Sequence, residues 1–238
     1  MSATLMVHKG AVKVARNELL TIEPPPGTDT WKPIKHADLV NTLTTVLAAR
    51  GLHLRKEEYA VQREGNLLFG VMDLAWGETN EHGAALGLRT SNDKTMSIQI
   101  AIGARVFVCD NLVFSGELIA LKRRHTGKLD IEEELARAVH RYEYGYPVLC
   151  KGIEQLKSVT VPLIEARELV FNVFARKIVP LKLFPKVAPM YVRDSASCGV
   201  ISLWGLHNSF TTYVKHLSPG VQFEATTKLG EFFGLKSF

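Results

Sequence analysis

The spacing of apolar residues changes twice along the chain, and each change marks a switch of local structure. From Ile34 to Arg50, Leu39, Val40, Leu43, Val46 and Leu47 recur at steps of three and four, with Gly51 following as a C-cap, so an amphipathic helix is predicted. Beyond it the period falls to two. Leu52 to Arg63 and Leu67 to Trp76 flank the turn at Gly65-Asn66 and predict a hairpin. Alternation resumes from Ala84 to Thr90. After Ser91-Asn92-Asp93-Lys94 it continues through Thr95 to Ile102, with Met96, Ile98, Ile100 and Ile102 on one face. Gly103 allows a bend before the strand-like run Arg105 to Cys109, and Leu112 to Leu121 extends the sheet. Strands joined by such short turns pair antiparallel, because a parallel return needs a long crossover.

After Gly127 the helical period returns. Asp130 is placed to cap a helix from Ile131 whose first turn holds Glu132, Glu133 and Glu134, and Leu135, Ala138, Val139 and Tyr142 form its inner stripe. Gly145 and Pro147 are expected to end it, with further helices over Val148 to Val159 and Pro162 to Ile178. Pro180, Pro185 and Pro189 predict a loop, followed by helices from Ser202 to Leu217 and from Val221 toward Phe233. The fold class expected is α+β: an N-terminal helix and a mostly antiparallel β-sheet, then a helical C-terminal half. Three regions follow: an arm over 1–33 that ends in Pro24-Pro25-Pro26, a helix-plus-sheet core over 34–128, and a helical region over 129–238 packed on the same core.

Composition narrows the class. The 238 residues are 46% hydrophobic and 22% charged, values of an ordinary globular chain rather than a disordered one. No apolar run approaches the roughly 18 residues needed to span a bilayer, and the first twenty residues lack a continuous signal core, so no membrane contact and a cytoplasmic location are expected. Cys109, Cys150 and Cys198 have neither zinc spacing nor an even count for a disulfide framework. The net charge of +5 permits a nucleic-acid partner without demanding one.

Gly87-Leu88-Arg89-Thr90-Ser91-Asn92-Asp93-Lys94-Thr95-Met96, together with the run from Gly103 to Glu117 that includes Cys109-Asp110-Asn111-Leu112, resembles the phage/plasmid-like family built on a domain of unknown function. The likeness runs from about Trp31 to Gly234 and includes Ile34-Lys35-His36, Phe69-Gly70 and Trp204-Gly205-Leu206-His207-Asn208. It implies an association with mobile elements and carries over no catalytic residues.

The candidate chemistry falls into three groups. Arg89, Ser91, Asn92 and Lys94 at one turn, Arg105 on the neighbouring strand and the basic run Lys122-Arg123-Arg124 form a candidate phosphate-binding set. Tyr59 or Trp76 would supply a stacking surface for bases. Used this way, they make a non-enzymatic DNA- or RNA-binding protein, of single-strand binding or annealing type, free to form homo-oligomers and needing no cofactor. Second, Asp93, Asp110 and Glu117 would hold a divalent metal in an enzyme acting on a phosphate-containing substrate. Third, Cys109, Asn111, Trp204, His207 and Asn208 form a candidate pocket, with His36 or His207 as activator of the Cys109 thiol. An accessory factor that binds only protein is a further alternative. No Walker loop, dinucleotide fingerprint, zinc-protease motif or nucleophile elbow is present.

Overall fold

A computed structural model of the chain describes residues 11–77, 82–106, 111–127, 129–195 and 199–235, with backbone alone at 82, 105–106, 111–120, 194–195 and 219. Its centre is a six-stranded antiparallel sheet in sequence order: β1 (Val12–Val14), β2 (Leu54–Gln62), β3 (Leu67–Leu74), β4 (His82–Ser91), β5 (Ile98–Val106) and β6 (Asn111–Arg123). Helix α1 (His36–Ala49) lies between β1 and β2 in the chain. The helix-first order is therefore corrected, since β1, inside the stretch read as an arm, pairs with β2 through Val12 opposite Val61. Three residues are too few to show an alternation, and only pairing identifies them as strand.

Register divides the sheet into two chemically distinct faces. Tyr59, Leu68, Met72, Leu86, Leu88, Ile98 and Ile100 share one core with Leu39, Val40, Leu43 and Leu47 of α1 and with Leu135, Val139 and Tyr142 of α2 (Ile131–Ser158). The other face carries a lateral row in which Ala60, Phe69, Arg89, Gln99 and Lys122 stand opposite one another on successive strands. Alternation alone forces this segregation: a residue next to a core position points the other way. Glycine at 70 completes the pattern, because its partner across the ladder is Tyr59, whose ring would lie 3.0 Å from an added Cβ.

Helix α2 departs from the two-helix expectation. It runs unbroken through Gly145 and Pro147, and its buried stripe of Tyr142, Tyr146, Leu149, Ile153 and Leu156 continues across the proline. Burial of that stripe outweighs the single helical hydrogen bond that proline removes. Asp130 caps the start, accepting from the Glu133 N–H at 3.0 Å. The helical half continues with α3 (Leu163–Ala175), α4 (Phe184–Ser195), α5 (Leu203–Val214) and α6 (Pro219–Phe232), and with a small two-stranded sheet of β7 (Thr160–Pro162) and β8 (Val200–Ser202). Where three prolines predicted a loop, α4 forms. Pro185 sits in its first turn, where no N–H is required, and Val187 and Tyr191 bury one turn apart. Helix α6 crosses to the second sheet face, where Phe223 joins Ala60, Val71, Ala85 and Ala101 in a separate small core.

Candidate basic cleft

The lateral row ends in a cleft of about 740 Å³ lined by Trp31, Arg89, Lys94, Thr95, Met96, Ser97, Gln99, Lys122, Arg124 and His125. Four of these are cations and none is a carboxylate. Lys122 in β6 and Arg124, one residue beyond its end, both line the cleft, while Arg89 and Lys122 both flank Gln99 across the ladder. Arg89 is held firmly: its Nε donates to Gln99 Oε1 at 2.8 Å and its guanidinium lies 4.6 Å from the Phe223 ring centre. Burial lowers its pKa, and the Glu224 carboxylate opposes that shift. Lys94, Lys122 and Arg124 have no carboxylate partner among the described residues.

The turn over 91–97 builds one wall. Ser91 Oγ accepts from the Met96 N–H at 2.9 Å and donates to the Met96 carbonyl at 3.2 Å. Asp93 accepts from the Thr95 N–H at 3.0 Å, from the Thr95 hydroxyl and from Arg63 at 2.8 Å. Partial burial would raise its pKa, but these bonds prevail and hold it at about 2. Lys94 then takes a left-handed backbone, φ 67°, and its ammonium lies 4.9 Å from the Trp31 ring centre. The opposite wall is the strap that carries Trp31. Asn92 clamps it, donating to the Ile34 carbonyl at 2.9 Å and accepting from the Ile34 N–H at 3.2 Å, while the Lys32 N–H donates to the His125 carbonyl at 3.1 Å.

The residues named from sequence thus separate by role. Arg89, Lys94, Lys122 and Arg124 converge. Ser91 and Asn92 do not face the cleft as phosphate ligands, since both are buried and their side chains are engaged in the turn and the strap. Arg123 points to the other face, where its Nε meets Glu134 of α2 at 3.0 Å, as a residue one position from Lys122 must. The side chain of Arg105 lies outside the described residues. Tyr59 is buried in the main core, and the half-buried Trp76 packs on Tyr142 and Tyr146 at ring separations of 5.9 and 5.2 Å; neither is among the residues that line the cleft. Trp31 is the indole that lines the cleft. An isolated tryptophan between Thr30 and Lys32, just beyond the proline run, was the available signal.

For the metal reading, Asp93 is committed to Arg63 and Thr95, while Asp110 and the side chain of Glu117 lie outside the described residues. Among the described residues no group of three His, Cys, Asp or Glu side chains is arranged to hold a metal. For the pocket reading, Cys109 and the side chain of Asn111 again lie outside. Trp204 and His207 are buried, their rings stacked at 5.4 Å and 4° within the helical core, with Phe233 edge-on to His207 at 5.4 Å. Asn208 is half-buried, within 3.5 Å of the Thr211 hydroxyl. His36 is buried with Nε2 2.8 Å from the Gly65 carbonyl, and the thiol it would activate, Cys109, lies outside the described residues.

The fold and cleft together define an α+β domain with a basic cleft at one end of an antiparallel sheet, its lining without a carboxylate among the described residues. The profile of the family described as "Domain of unknown function (DUF932)" matches residues 27–230, and the chain belongs to that family. No curated protein and no solved structure matches it. No helix among the described residues is long and apolar enough to cross a membrane.

Proposed function

We propose that the cleft binds single-stranded nucleic acid without chemical turnover, with Arg89, Lys94, Lys122 and Arg124 contacting phosphates and Trp31 stacking on a base. The observation that carries this reading is the convergence of four cations and one indole on a single cleft whose lining holds no carboxylate among the described residues. A polyanion gains there by counterion release and by charge-assisted hydrogen bonds. Arg89 is the pre-organised anchor, because Gln99 and Phe223 fix its orientation before a ligand arrives. Single strands are favoured over duplex, since only an unpaired base can reach the indole face. The cleft has the size of a small-ligand site, which suits a short unstacked segment. An association with mobile elements is the setting that the sequence resemblance implies.

The test is fluorescence anisotropy of a labelled thymidine oligonucleotide against the wild type and the triple variant K94E/K122E/R124E. Wild-type binding at low salt with at least about a hundredfold loss in the variant is expected, given three phosphate contacts turned repulsive. W31A alone is expected to lose about 1–3 kcal/mol, the range for base stacking on an aromatic side chain. Equal affinity of wild type and triple variant, or no binding by either, would refute the proposal.

A further inference from the structure

Helix α3 carries two stripes. Ala166, Val170, Val173 and Phe174 are buried against the helical core. On the opposite side, Ile164 is 71% and Phe171 68% exposed. Single exposed apolar residues are ordinary on a protein surface. Here, however, two large ones stand one heptad apart on one face of one helix, with Arg167 and Glu168 exposed between them on that face. Neither Arg167 nor Glu168 has an ion-pair partner among the described residues.

We infer that α3 pairs with α3 of a second copy of this chain, antiparallel across a two-fold axis passing midway between residues 167 and 168. Ile164 and Phe171 are equidistant from that point, as are Arg167 and Glu168. One rotation therefore sets each Phe171 on the Ile164 of the other copy and each Arg167 against its Glu168, so every exposed group of the stripe is answered twice. That self-complementarity is what an isologous dimer contact requires. A partner of another sequence would need a matching stripe, whereas the second copy supplies it by symmetry. Leu181, 71% exposed, lies across a groove from Phe174 and Ala175, and Phe184 meets Phe174 at 5.3 Å, so the apolar surface continues beyond the end of α3 in each copy. A 13-residue helix is about 20 Å long, so the contact is smaller than a standard stable interface and the association concentration-dependent. This inference rests on α3 alone and is independent of the basic cleft.

Sedimentation velocity of the full chain, from micromolar to near-millimolar concentration, tests it. A sedimentation coefficient that rises from monomer toward dimer is expected, and F171D should stay monomeric throughout. R167E and E168R should each weaken association by about tenfold, because each turns both ion pairs into repulsions. The double variant R167E/E168R should restore it. These charge variants change exposed positions, so they keep the test independent of any folding defect in F171D, and circular dichroism checks the fold of each. A wild type monomeric at every concentration would overturn the inference. So would single charge variants that associate like wild type, or a double variant that fails to recover.

Discussion

At the scale of single residues, the polar groups named in the sequence divide into those that face the cleft and those that build it. Ser91-Asn92-Asp93 was legible as a turn, because short polar side chains beside a left-handed position close turns by local hydrogen bonds. What Asn92 does was not legible, since its partner Ile34 lies 58 residues away in sequence. N92A removes both bonds to Ile34 and leaves two backbone groups unpaired, so a loss of about 2–3 kcal/mol is expected in urea denaturation. The buried histidines give a second expectation. Burial lowers the pKa of His207 to about 4 from 6.5, with the Asn208 side chain opposing. Burial, reinforced by His36, lowers His125 likewise to about 4, and burial lowers His36 as well. Between pH 6.5 and 4 the unfolded chain binds protons that the folded chain refuses, so stability is full above that window and declines as pH falls through it. H207F keeps an aromatic ring between Trp204 and Phe233 and removes one titrating group. Its stability should fall less steeply over the same window, read as the urea midpoint against pH; a slope equal to wild type would contradict the burial of a neutral His207.

At the scale of elements, periodicity carried the reading wherever a run was long enough to show it. Helix α1 and the β2–β3 hairpin, with its turn at Gly65-Asn66, lie where alternation and turn chemistry put them. The failures have identifiable causes. Prolines were weighed as breakers in α2 and α4, yet both helices bury apolar stripes that extend past a proline, and tertiary burial overrides local propensity. Strands β1, β7 and β8, three residues each, carry no period at all. Two substitutions test the element-level account. D130A removes the α2 N-cap and should lower stability by about 1 kcal/mol. G70A drives a methyl into the Tyr59 ring, and a loss of about 1–3 kcal/mol is expected unless that buried ring can shift. Both are read from thermal or urea unfolding, and a neutral G70A would mean that the cross-strand packing of Tyr59 on Gly70 is loose.

At the scale of the whole molecule, the sheet separates two tasks. One face makes the main core with α1 and α2; the other sets a row from Phe69 to Lys122 that leads into the basic cleft, while α6 lays Phe223 over the middle of that row. The cations of the cleft were visible in the sequence because they cluster at two turns. Their convergence was not, because Arg89 and Lys122 become neighbours of Gln99 only through the pairing of three strands. The same pairing explains why Arg123, in the middle of the basic run, is turned away to Glu134. The modest net charge of +5 hides the cleft as well, since acidic residues elsewhere offset it. The most direct test is the salt dependence of oligonucleotide binding. For the wild type, log affinity should fall linearly with log salt at a slope of roughly −2 to −3, as expected for three or four neutralised phosphates on a single strand. The K94E/K122E/R124E variant should show a slope near zero. A wild-type affinity insensitive to salt, or a variant slope as steep as the wild type's, would contradict a phosphate-binding cleft.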